Sequence, residues 1–183
     1  LGPAAFIGRA RVVPLRNTGA ALSPDSAFTV LQGIETLSLR LERHVQNAQD
    51  VAEWLEQHPD VASVKYAGLP SSPWYEAANK YAPQGVGAVL SFELKGGVGA
   101  GRALVDSVKL FSHLANIGDV RSLIIHPAST THSQLSPEQQ LTAGVTPGLV
   151  RLSIGLENVE DIKADLEDGL AAARAAVAAG AVA

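Results

Sequence analysis

Between residues 28 and 55 apolar side chains recur in steps of three and four: Phe28, Leu31, Ile34, Leu37, Leu41, Val45, Ala48, Ala52 and Leu55. That spacing is one face of an α-helix. Ser23-Pro24-Asp25 supplies its start, with a hydroxyl N-cap, a proline at the first helical position and a carboxylate in the first turn. His58-Pro59 supplies its end, because proline disfavours helical geometry in the residue before it. The pattern predicts one helix roughly 50 Å long at 1.5 Å per residue. A compact domain of 183 residues is only about 30 Å wide. Part of the apolar face is therefore expected to pack on something outside this chain.

The segments after the helix are shorter. Strands are predicted over 61–66, 88–95, 110–114 and 149–156, and the second alternates Leu90, Phe92 and Leu94 against Ser91, Glu93 and Lys95, a strand with one wet face. Helices are predicted over 74–81, over 100–107, and after Asn158, where Val159, Ile162, Leu166, Leu170 and Ala173 turn inward. The alanine-rich end of that last helix is expected to fray. Residues 116–147 read as a long loop with helical turns near Ser122 and at Ser136-Pro137-Glu138. The expected fold is α+β: a long N-terminal helix leading into a small, mainly antiparallel sheet with helices on one face.

Composition narrows the function classes. A formal charge of −4 provides no basic surface for nucleic acid. With no cysteine, disulfides, thiolate metal sites and a cysteine nucleophile are excluded, which fits a reducing, cytoplasmic setting. No apolar run reaches the 18 or so residues of a membrane span, so no membrane partner is expected. Methionine is absent throughout, position 1 included, and the chain reads as a cut through a longer protein.

Most candidate motifs have an ordinary structural explanation. Gly96-Gly97-Val98-Gly99-Ala100-Gly101 sits where a phosphate loop would, but Arg102 stands in place of the third glycine of G-x-G-x-x-G, and a flexible turn is the better reading. His126 and His132 lack metal-ligand spacing and are expected to be structural, and His44 and His58 to be solvated helix residues. Arg151 is more informative. In 149–156, Val150, Leu152, Ile154 and Leu156 share one face of a strand while Arg151, Ser153 and Gly155 share the other. An arginine between two small residues has cleared space before it, and its planar fork matches a carboxylate. An exposed arginine in an intramolecular ion pair is the competing explanation.

Several stretches together resemble the C-terminal half of the Cys/Met-metabolism PLP-dependent enzymes, a family that includes cystathionine synthases and lyases, methionine γ-lyase and the homoserine-ester sulfhydrylases. They are Phe111 to Asp119 (FSHLANIGD), His126 to His132 (HPASTTH), Val150 to Glu157 (VRLSIGLE), Tyr66-Ala67-Gly68-Leu69-Pro70 and Ser91 to Gly97 (SFELKGG). The likeness runs in order along nearly the whole chain. Two stretches, His113 to Asp119 and Thr130 to Leu135 with Ala143 to Pro147, look most like the O-acetylhomoserine sulfhydrylase branch.

The resemblance implies a division of the chain: 1–21 as remnant of a large cofactor domain, 22–58 as connecting helix, 59–183 as the C-terminal small domain. It implies that Arg151 binds the substrate α-carboxylate, with Asn116 in support where many relatives carry serine. It implies pyridoxal 5'-phosphate as cofactor, held by a lysine upstream of Leu1. None of Lys65, Lys80, Lys95, Lys109 and Lys163 stands in that lysine's motif, so no catalytic residue and no bound cofactor are expected in residues 1–183 alone. The implied partners are a small amino-acid substrate, the upstream cofactor domain and further copies of the chain. Alternatives are a cystathionine γ-synthase or methionine γ-lyase relative, or a non-catalytic binding or assembly module.

Overall fold

The structure, a computed structural model, describes residues 2–180. The chain divides into two compact units, Leu1–Ser38 and Leu39–Ala183. In the first, a 3-10 turn at Gly2–Ala4 leads into α1 (Ala5–Ala10), a π-helical stretch at Arg11–Leu15, α2 (Arg16–Thr18) and α3 (Pro24–Glu35). Ser23 caps α3 as expected, its Oγ accepting from the Ser26 N–H at 3.2 Å. Phe28, Leu31 and Ile34 on the apolar stripe of α3 are exposed.

The single helix expected from residue 24 to residue 58 is two. α3 stops at Glu35, and α4 runs Leu37–Glu56. Thr36 between them sits at φ −105°, ψ 7°, outside helical geometry. A β-branched residue is a weak helix former, and the apolar spacing carries straight across it, so periodicity does not reveal the break.

The second unit is a five-stranded sheet with strands β1 (Val61–Lys65), β2 (Val89–Leu94), β3 (Ser112–His113), β4 (Leu123–Ile125) and β5 (Leu149–Ser153), in the order β1-β2-β5-β4-β3. All pairings are antiparallel except β3 with β4. β4 lies inside the segment expected to be a loop. Its three residues Leu123, Ile124 and Ile125 are all buried, so they show no alternation, and three residues are too few to declare a period. No helical turn forms at Ser122, which is buried beside β4. The turn expected at residue 136 is present as α7 (Pro137–Thr142), closed by a capping box between Ser136 and Gln139.

The helix expected over 74–81 is α5 (Tyr75–Tyr81), between β1 and β2. α4, α6 (Gly97–Ser107) and α8 (Val159–Ala178) contribute to one core with one face of the sheet. Leu55, Leu104, Ile162 and Leu166 from the helices meet Leu90, Phe92 and Leu152 from the strands and Ile154 just past β5. The Asp165 carboxylate accepts from the backbone N–H groups of Lys109, Leu110 and Phe111 at 2.8, 2.9 and 3.2 Å, fixing the chain between α6 and β3. α8 stays helical through Ala178, and the last three alanine-rich positions lie outside the described residues.

His44 is not solvated as expected. It is buried, and its Nδ1–H donates to the Ile154 carbonyl at 2.6 Å. One turn on, Asn47 Nδ2 donates to the carbonyls of Gly155 and Glu157 at 3.0 and 2.9 Å. α4 thereby grips the chain where it leaves β5, satisfying carbonyls that have no strand partner. His58 is also largely covered, with Nε2 3.0 Å from Glu167. An Asn47→Ala variant should lose about 1–3 kcal/mol, since it leaves one buried and one half-buried carbonyl unpaired; urea unfolding of variant and parent measures the loss.

Candidate functional site

The face of the sheet turned away from α4, α6 and α8 carries Arg151. The register places Lys65 of β1 opposite Ser91 of β2, Ser91 opposite Arg151 of β5, and Arg151 opposite Ile125 of β4. These four side chains form one row across the sheet, since directly paired residues project to the same side. Above the row lies a cleft of about 300 Å³ whose lining includes Lys65, Ser91, Ile125, His132, Gly144 and Arg151. Arg151 is half-buried. Among the described residues its guanidinium makes no hydrogen bond or ion pair, so the intramolecular pair considered for it is not formed.

The acid that stands closest along β2 is otherwise engaged. Glu93 accepts from Thr146 Oγ1 and, at 3.0 Å, from the Gly148 N–H. Among the described residues no carboxylate lines the cleft, leaving its charge to Arg151 and Lys65.

Space in front of Arg151 does not come from the residues expected to clear it. Ser153 is buried, and its Oγ has no partner among the described residues. Gly155 lies past the end of β5, where a Cβ would stand 2.3 Å from Glu157 Oε2 and 2.5 Å from both the Arg121 carbonyl carbon and the Ser122 nitrogen. Its small size lets Glu157 reach Ser122, whose N–H and Oγ donate to that carboxylate at 2.7 and 2.9 Å. The open space before Arg151 is bordered instead by Ser91, Ala143 and Gly144.

Asn116 lies in the exposed loop after β3, where its Oδ1 accepts from the Ile117 N–H at 2.9 Å. It is not part of the cleft lining. That loop leaves β3 at the Arg151 level of the sheet: His113 pairs with Ile124, and the next residue of β4, Ile125, pairs with Arg151. Sequence reasoning missed Lys65 and Ser91, because only the register of β1 on β2 brings them into line with Arg151.

His126 is structural, as expected. It is buried, donating from Nε2 to the Pro147 carbonyl and accepting at Nδ1 from Ser129 Oγ, both at 2.8 Å. Its ring lies against α6 at Gly101, where a Cβ would come within 2.3 Å of it. Burial holds its pKa below the ordinary 6.5, and Arg102 adds to the lowering; the Pro147 hydrogen bond and Glu93 oppose it. As pH falls below 6.5 the unfolded chain takes up the proton first. His126 therefore stabilises the fold above that pH, and its contribution is lost as pH falls through the lower folded value. Urea unfolding at pH 7.5 and 5.5 should show a larger drop for the parent than for His126→Gln.

The glycine run is likewise structural. Gly96 and Gly97 enter α6 at φ +127° and +64°, and a Cβ on Gly96 would meet the Val177 side chain at 2.3 Å.

The lysines do not fit a covalent cofactor site either. Lys95 donates to the Pro59 carbonyl, Lys163 pairs with Glu160, and Lys80 lies over the Tyr81 ring. Lys109 is exposed, and Lys65 stands in the cleft with no carboxylate in its lining to pair with a pyridine nitrogen. Among the described residues no His, Asp or Glu cluster could hold a metal, and no helix is long and apolar enough to cross a membrane.

Residues 6–171 match the Cys/Met metabolism PLP-dependent enzyme family. The chain belongs to that family. It is similar to an O-acetyl-L-homoserine sulfhydrylase of Thermus thermophilus, 58% identical over 93% of this chain and 40% of the relative. It is also similar to an L-methionine gamma-lyase of Fusobacterium nucleatum, 50% identical over 87% of this chain and 40% of that one. Among solved structures it superimposes on a Campylobacter jejuni protein assigned as an O-acetylhomoserine (thiol)-lyase and carrying a pyridoxyl-lysine, with a TM-score of 0.81 and 45% identity over 93% of this chain and 41% of that chain. The chain thus spans about 40% of the length of the family members it matches. The family is PLP-dependent.

Proposed function

We propose that this chain supplies the substrate-carboxylate grip of an O-acetylhomoserine sulfhydrylase, which converts O-acetyl-L-homoserine and sulfide to L-homocysteine and acetate in the cytoplasm. The observation that carries it is Arg151: a half-buried guanidinium, unpaired among the described residues, in a cleft lined by no acid. A guanidinium in that state favours a carboxylate, which it can take with two parallel charge-assisted hydrogen bonds. Pyridoxal phosphate, when bound by the upstream part of the fold, supplies the electron sink for the chemistry at the substrate carbons. The part played by residues 1–183 is orientation: Arg151 holds the α-carboxylate, and Asn116 meets it from the loop after β3 through side chain or backbone.

A methionine γ-lyase is the second reading, favoured by the 50% identity to the Fusobacterium protein. A chimera joining residues 1–183 to the preceding part of the Thermus relative separates the two. Sulfide-dependent homocysteine formation from O-acetylhomoserine is expected to exceed methionine breakdown at least tenfold. A chimera that degrades methionine the faster of the two would move the chain to the lyases.

A further inference from the structure

The row Lys65, Ser91, Arg151 puts two cations on one sheet face with a hydroxyl between them. Adjacent strands lie 4.7–4.9 Å apart, so the two cationic residues stand about 10 Å apart at their Cα atoms. Both line the same cleft, and neither has an ion-pair partner among the described residues. Glu93, the acid on the same strand and face as Ser91, is occupied by Thr146 and Gly148. Two like charges facing one cleft repel each other, modestly at this spacing because Lys65 is exposed, and binding negative charge relieves that repulsion. One carboxylate on Arg151 answers only half of it.

We propose that the cleft is a two-anion site, in which Arg151 takes a carboxylate and Lys65 draws a second small anion at the opposite side of the row, with the Ser91 hydroxyl available as a donor between them. Lys65 suits that task as a flexible point charge that needs no fixed geometry in its ligand. Resting on the sulfhydrylase reading, the second anion is the one that enters or leaves at the far end of the substrate, hydrosulfide or acetate. Lys65 is then a positioning residue for that anion, while Arg151 holds the amino acid.

Titration of the 15N-labelled chain at low salt with glutarate and with butyrate, carboxylates of similar size carrying two charges and one, tests the two-anion site directly. Glutarate should bind at least fivefold more tightly, shifting the amides around Lys65, Ser91 and Arg151. Lys65→Gln should reduce glutarate to the butyrate level, and Lys65→Arg should restore the preference. Equal affinities in the parent, or a preference that survives Lys65→Gln, would overturn the proposal. Butyrate binding that ignores Arg151→Gln would instead count against the carboxylate grip, so the two failures are distinguishable. In the chimera, Lys65→Gln should raise KM for sulfide at least threefold if hydrosulfide is the anion, or weaken product inhibition by acetate if acetate is; no change in either overturns the assignment to this reaction.

Discussion

Replacing Arg151 by alanine in the chimera with the Thermus upstream segment should cost more than tenfold in kcat/KM, most of it as a higher KM for O-acetylhomoserine. A charge-assisted hydrogen bond contributes about 1.5–3 kcal/mol, and tenfold in rate corresponds to about 1.36 kcal/mol. Losing a bidentate pair therefore exceeds tenfold even if water recovers part of it. Because Arg151 is committed to no protein carboxylate, its removal strands no buried partner, and the fold should be little affected. Thermal unfolding unchanged within a few degrees, together with the kinetic loss, separates a binding role from a structural one. Arg151→Lys keeps the charge but not the fork, and should recover only part of the loss. A change under threefold in the alanine variant would remove Arg151 from the site.

Gly155→Ala should be among the most destabilising single substitutions in the chain, by about 3 kcal/mol. Its Cβ would press on the Arg121 carbonyl carbon and the Ser122 nitrogen, both at 2.5 Å and both backbone. The Asn47–Gly155 and Asn47–Glu157 hydrogen bonds, and the Ser122–Glu157 pair, fix that backbone from the other sides. Overpacking of this kind typically costs 1–3 kcal/mol, and more where backbone must shift. Gly118→Ala is the contrasting case: its φ of +78° strains an alanine, but no atom lies within 4 Å of the added Cβ. That variant should lose about 1 kcal/mol. Comparing urea midpoints of the two variants separates steric from conformational cost.

The elements with clear physical signatures were legible in the sequence. The N-caps at Ser23 and Asn158 precede α3 and α8 as expected, and the turn expected at Ser136-Pro137-Glu138 is the start of α7. The alternation over 88–95 is β2, and the residues chosen as its inward face, Leu90, Phe92 and Leu94, are buried. What failed had no local signal. β4 is three apolar residues wedged between two strands, and its identity is set by the partners on either side. The break at Thr36 interrupts the backbone without interrupting the apolar stripe. His44 and Asn47 look like ordinary polar helix residues until the end of β5 is laid against them.

The site divides the same way. Arg151 stands out because strand alternation puts a guanidinium opposite an apolar face. The reason offered for its open surroundings, small residues at 153 and 155, is not the one the fold uses: Ser153 is buried and Gly155 serves Glu157. Lys65 and Ser91 belong to the cleft only through register, which depends on strands distant in sequence and on a bulge between Val61 and Ser63.

The central claim is that Arg151 receives the substrate carboxylate. It is tested most directly by comparing, in the chimera, kcat/KM for O-acetyl-L-homoserine with that for its α-carboxamide, in parent and in Arg151→Gln. The parent should prefer the carboxylate at least 100-fold, and the variant should lose that preference to within about fivefold, since the charge being recognised has lost its counterpart. A preference that persists unchanged in Arg151→Gln would contradict the claim and assign the carboxylate to another residue.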